Sequence, residues 1–160
     1  MLRWYSLIAV ALGSLSVFAC PNFEGTYSEC RHWEYEGGEF RELREPAPEE
    51  MIIHQFKGNL QILMEGTQWY FGKLLPAKPI LLSYGDEGKD EISYCDTRNN
   101  HIVIDASEFH PDSLAPKSTT LKTIRKELDG SLSIDTAHRR FRWRGDMGVV
   151  ERTLLNCELK

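Results

Sequence analysis

Beyond Met51 the apolar residues come in short runs separated by turn formers, the pattern of consecutive strands in an antiparallel meander. Met51-Ile52-Ile53-His54-Gln55-Phe56 leads into Lys57-Gly58-Asn59, after which Leu60, Ile62 and Met64 recur at every second position. The Gly58-Asn59 pair predicts a hairpin between these two segments. Trp69-Tyr70-Phe71 follows Glu65-Gly66-Thr67 as an aromatic stretch that suits a strand. Pro76 and Pro79 precede Ile80-Leu81-Leu82-Ser83-Tyr84, which makes that segment an edge or bent strand.

The second half repeats the pattern. Gly85 to Asp90 reads as a charged turn. Ile92-Ser93-Tyr94-Cys95 and His101-Ile102-Val103-Ile104-Asp105 flank Arg98-Asn99-Asn100 as a hairpin, and Phe109 to Ser118 reads as the longest loop of this half. In residues 119 to 128, Leu121, Ile124 and Leu128 recur at helical spacing, but Asp129-Gly130 and the alternating Leu132 and Ile134 signal a hairpin. We read the segment as strand. Arg140, Arg142 and Arg144 fall on one face of the next strand, with Phe141 and Trp143 on the other. Val149 to Leu159 closes the set, and Glu34 to Glu50 is expected to be a long polar loop between the first two strands. The resulting expectation is an all-β chain: a closed, antiparallel up-and-down β-barrel of roughly 8–10 strands, since open edges invite aggregation and sequential hairpins close more simply than a Greek key.

The N-terminus changes the picture of where this barrel works. Arg3, the apolar run from Leu7 to Phe18 and the small residues Val17 and Ala19 make a charged region, a hydrophobic region and a cleavage site. The run falls short of the roughly 20 residues that a spanning helix needs. Residues 1–19 are therefore expected to be a cleaved signal peptide and residues 20–160 a single β-barrel domain, exported to a periplasm or the exterior. The net charge of −5 favours solubility and gives no reason to expect a nucleic-acid partner.

All four cysteines, Cys20, Cys30, Cys95 and Cys157, lie beyond that site, and an even count in an oxidising compartment reads as a disulfide framework of open connectivity. Cys20 has a second reading. Val17-Phe18-Ala19-Cys20 resembles a bacterial lipobox, in which the cysteine becomes a lipidated N-terminus; peripheral attachment to a membrane is expected only in that case. No cysteine or histidine spacing suits zinc.

Asn22-Phe23-Glu24-Gly25-Thr26-Tyr27 resembles the Asn-x-x-Gly-x-Trp signature that opens the first strand of lipocalins and their calycin relatives, with Tyr27 in the place of the tryptophan. The resemblance implies an eight-stranded barrel in which this aromatic closes one end and an arginine of the last strand packs across it. Arg142, Arg144 and Arg152 are the candidates for that partner. The placement of the cysteines is also similar to that of small exported bacterial barrel proteins, including lysozyme-inhibitor lipoproteins.

A barrel of this size is either filled by side chains or holds one small ligand. Candidates to line such a site are Ile62, Met64, Trp69, Phe71, Tyr94, Ile104, Phe141 and Trp143, together with Ile53, Leu60 and Ile102. Arg140, Arg142 and Arg144 have the fork geometry for phosphate or carboxylate, although a solvated strand face has the same composition. Asp86, Glu87, Asp90 and Glu91 cluster near one turn without the spacing of a calcium loop. The sequence contains no nucleophile elbow, phosphate loop or zinc-protease helix. It points to a non-enzymatic, cofactor-free binding protein for a small hydrophobic or amphipathic ligand. The alternative is an envelope lipoprotein or secreted inhibitor that meets a protein or lipid partner through loops and the basic strand face.

Overall fold

The computed structural model describes residues 20–43, 46–75, 89–96, 98–110, 115–141 and 150–160. It is all-β. The strands are β1 (Gly25–Glu36), β2 (Glu39–Glu42), β3 (Glu50–Phe56), β4 (Asn59–Met64), β5 (Thr67–Lys73), β6 (Lys89–Asp96), β7 (His101–Phe109), β8 (Pro116–Lys126), β9 (Leu132–Arg140) and β10 (Val150–Leu159). One antiparallel sheet runs in the order β5-β4-β3-β1-β10-β9-β8-β7-β6, with β2 paired to the far half of β1. This is the expected meander, joined β1 to β10 and curled into an open half-barrel. In place of a closing ladder, the described residues show one parallel bridge between the edges, Leu75 to Tyr94. There the Leu75 N–H donates to the Ser93 carbonyl and the Cys95 N–H to the Leu75 carbonyl, each at 2.8 Å. The expected edge strand at Ile80 to Tyr84 lies outside the described residues.

The turns show how local chemistry sets the register. The β3–β4 hairpin is tight, but its two-residue loop is Lys57-Gly58 rather than Gly58-Asn59, with φ of 50° and 79°. Positive φ at both positions is what a type I′ turn requires, and Asn59 is thereby freed to begin β4. Glu34 to Glu50 departs further from expectation. Gly37 and Gly38, with φ of 63° and 98°, fold the chain back so that Tyr35 pairs with Phe40 and Glu36 with Glu39. The expected loop therefore begins as a hairpin, since two glycines supply the twist-matched turn that the acidic composition hid. The expected loop from Phe109 to Ser118 is also shorter. β7 reaches Phe109 and β8 starts at Pro116, a first position where a missing N–H is tolerated. Lys89 and Asp90, expected in a charged turn, instead open β6 as partners of Glu108 and Ser107. The segment with helical spacing is strand β8, as read.

The core lies on the concave face. Met51 and Ile53 of β3, Leu60 and Ile62 of β4, Ile102 and Ile104 of β7, Ile124 of β8, and Leu132 and Ile134 of β9 are buried together. Alternation along each strand puts them on one side, and each contributes on the order of 1.5–3 kcal/mol by leaving water. Tyr27 is fully buried among them, and its hydroxyl donates to the Phe23 carbonyl at 2.8 Å. The buried phenol cannot shed its proton cheaply, so its pKa is raised.

The segment before β1 crosses the lower end of this core. Phe23 is fully buried, and Gln55 of β3 clamps the segment with both ends of its amide. Gln55 Oε1 accepts from the Phe23 N–H at 3.0 Å, and Gln55 Nε2 donates to the Pro21 carbonyl at 2.9 Å. On the far side of the gap between edges, Cys20 is bonded to Cys95 of β6, with Cα atoms 5.4 Å apart. The second bridge joins neighbouring strands, Cys30 of β1 to Cys157 of β10, within a register shift where Glu29 adopts a φ of 50°. With both bridges formed, no described cysteine is free, and Cys20 is engaged in a disulfide. Two disulfides suit an oxidising compartment.

Cys20→Ser with Cys95→Ser removes a crosslink between residues 75 apart in sequence. In the chain-entropy account that loop is worth about 4 kcal/mol. Urea unfolding of the double variant, with the other bridge intact, should show a loss of that order and faster amide exchange along β6. An unchanged midpoint would mean that the edge is held without the crosslink.

Candidate functional site

The concave face changes character from one end to the other, and strand register explains how. Ser93 of β6 pairs with Ile104 of β7, which pairs with Lys122 of β8. Cross-strand partners share a face, so these three side chains line one level of the concave wall. From the other edge, Trp69 of β5 is the partner of Ile62 and lies on the same side. The two halves of the curled sheet meet here: the Lys122 ammonium of β8 sits 3.9 Å from the centroid of the Trp69 ring of β5. Such a cation over an indole is worth roughly 0.5–2 kcal/mol, more as water is excluded. Burial disfavours the charged amine and lowers the Lys122 pKa, while Glu91, two residues along β6 from Ser93, partly opposes that shift. Ser93 is 4% exposed, and its Oγ is buried without a hydrogen-bond partner.

Above this level the wall is polar. Thr120 Oγ1 and His138 Nδ1 share a 2.8 Å hydrogen bond between β8 and β9. Arg140 Nε donates to His138 Nε2 at 3.3 Å, which leaves Nδ1 to carry the proton and donate to Thr120. The Arg140 guanidinium also faces Glu151 at 3.8 Å. On the level itself Ile104, and beside Trp69 its partner Ile62, are each 1% exposed and present no surface to a solute. Met64 and Trp69 are half-buried against that core. The face thus grades from a packed apolar floor, through an indole, a thioether and an ammonium, to a hydrogen-bonded polar rim.

The residues expected to line a ligand site are divided by this arrangement. Met64 and Trp69 are half-buried against the core from the concave side. Ile62 and Ile104 fill the floor, as do Ile53, Leu60 and Ile102. Tyr94 lies between the buried Ser93 and Cys95, and alternation turns it to the convex face, where it pairs with Val103. Phe71 belongs to β5, and Phe141, just past β9, is half-buried with its N–H donating to the Lys117 carbonyl at 3.0 Å. Trp143, Arg142 and Arg144 lie outside the described residues, as do Asp86 and Glu87. Arg140 is exposed, with Glu151 and His138 as its partners. Arg152 makes a bidentate pair with Asp135, at 2.9 and 2.5 Å, and stacks over Phe40 at 5.3 Å. It stands seven positions along β10 from Leu159, the partner of Tyr27, and its contacts are with Asp135 of β9 and Phe40 of β2 rather than with Tyr27.

Sequence reasoning missed Lys122 and Ser93. The available signal was strand alternation: once Ile124 is taken as core, Lys122 must share its face. Among the described residues no group of three His, Cys, Asp or Glu side chains is placed to hold a metal ion. No protein-family model, curated protein or solved structure matches the chain.

Lys122→Met should leave the folded state as stable or more stable, because it removes an ammonium from a mostly apolar level. The sign of the pH dependence follows from the lowered pKa. Between that value and the ordinary lysine value of about 10.4, the unfolded chain holds more protons than the folded one, so wild-type stability rises with pH. Thermal unfolding from pH 8 to 10.5 should show wild type gaining on Lys122→Met. Parallel curves would mean that Lys122 titrates as a solvated lysine.

Proposed function

We propose that this is an exported, non-catalytic binding protein that takes a small apolar or amphipathic molecule into the upper half of a β-barrel. The reading takes the half-barrel as closing in solution, with the Leu75 bridge and the Cys20–Cys95 bond holding the edges together. The observation that carries it is the grading of the concave face: Met64 and Trp69 stay half-buried where the packed floor ends, beside a mostly buried lysine. A ligand seated there exchanges water for an indole face and a thioether, the apolar contacts from which small-molecule affinity comes. It needs no cofactor. The two disulfides and the N-terminal hydrophobic run support a periplasmic or secreted setting, and the Asn22–Tyr27 resemblance to lipocalins agrees with this function.

Native mass spectrometry of the exported protein with a length series of fatty acids and alkanols is the direct test. A 1:1 complex that weakens about tenfold in Trp69→Ala is expected, and absence of any complex across the series would contradict the reading.

A groove on the convex face favours a second reading, that of an interaction or inhibitor protein. It encloses about 540 Å³ across β6 to β9, with Tyr94, Val103 and Leu121 between Arg125 and Arg139. Its position differs from the expected arginine face, since Arg140 points to the concave rim. Capture of an envelope protein by wild type but not by Arg125→Glu with Arg139→Glu would support this reading.

A further inference from the structure

Resting on the ligand-binding reading, we infer that the site selects single-chain amphiphiles with an anionic head, and that Lys122 and Ser93 form the head-group subsite. Three observations converge on one level of the concave wall. First, a lysine occupies the position directly beside Ile104 and two residues from fully buried Ile124, where an aliphatic residue would continue the core without loss. Second, that lysine is directed across the concave face onto Trp69 of β5, so its charge lies over an indole rather than in bulk water. Third, Ser93 Oγ is buried on the same wall, one strand beyond Ile104, with its donor and acceptor capacity unused. A buried hydroxyl left unsatisfied costs on the order of 1–3 kcal/mol, and such a group aimed at a cation's level needs a partner that supplies acceptor oxygens.

A carboxylate or phosphate monoester is that partner. It accepts from the ammonium and from the serine hydroxyl together, and charge-assisted hydrogen bonds of this kind are about twice as strong as neutral ones. The tail of the same molecule then lies against Trp69 and Met64. Glu91 is an exposed carboxylate whose charge favours the ammonium form of Lys122. A bound anionic head takes over its role at closer range. The Thr120–His138 pair and Arg140 with Glu151 bound the subsite above and are already matched to one another.

The test compares decanoate, decyl phosphate and decanol on the exported protein by isothermal titration. Wild type is expected to bind an anionic amphiphile at least tenfold more tightly than decanol, and the ratio of the two anions identifies which head group is preferred. Lys122→Met should remove that selectivity, binding all three within about threefold of one another, with a melting temperature no lower than wild type. Lys122→Arg should restore selectivity, Ser93→Ala should reduce it severalfold, and Glu91→Gln should tighten anion binding. If decanol binds as well as the anions in wild type, the binding site stands but the head-group assignment is overturned. Binding of none of the three contradicts the ligand reading and this inference together. Selectivity unchanged in Lys122→Met places the anion elsewhere.

Discussion

The structure depends on how the two free edges of one curled sheet are brought to face each other. A strand edge carries unpaired N–H and C=O groups, and a sheet that curls without closing leaves two such rows. Here the chain before β1 spans the lower end of the core: Gln55 holds it to β3, Phe23 buries its ring, and Cys20 carries the connection to Cys95 on β6. Leu75, just past β5, reaches the same stretch of β6 through two backbone hydrogen bonds. The Lys122 contact with Trp69 crosses the concave interior between β8 and β5. A covalent bond and a backbone bridge therefore act on one seam, a cation–π contact crosses behind it, and the concave core lies inside the curl of the sheet.

Much of the fold was legible because strand alternation is a local signal. Ile102 and Ile104, Ile124, and Leu132 and Ile134 fall on one face for the reason that makes them readable in sequence. The seam was not legible, because its parts are far apart along the chain. Gln55 reads as a polar end to an apolar run, and nothing near it announces that its amide will satisfy backbone groups more than thirty residues away. Disulfide connectivity is of the same kind: spacing permits several pairings, and only the β1–β10 and N-terminus–β6 contacts select the two that form. The β1–β2 hairpin was hidden for a different reason. Its residues beyond Trp33 are all exposed, the alternation of Trp33 and Tyr35 with Glu34 and Glu36 is short and sits in an acidic stretch, and Gly37-Gly38 marks the reversal.

The candidate site was legible in part. Trp69 and Met64 announce themselves as large apolar residues, but parity decides their meaning, and parity also places Tyr94 on the other face from Ser93. Lys122 was hidden because a lysine in an alternating strand normally points to water, and a helical spacing of Leu121, Ile124 and Leu128 competed for the same residues. Polar groups on the core-facing side of a strand lower stability, and natural chains tend to retain such costs where function requires them. The physical basis of the head-group assignment is that one level of an otherwise apolar wall carries both an ammonium and an unsatisfied hydroxyl.

Everything said about the interior requires the β5 and β8 side chains to meet across it. Proton NMR of the Lys122 ε-methylene group reads that contact directly, since protons above an indole ring are shielded. An upfield shift that disappears in Trp69→Leu is the predicted result. A lysine resonance at its solvated position in the wild-type protein would contradict the account, because β5 and β8 would then not meet across the concave face.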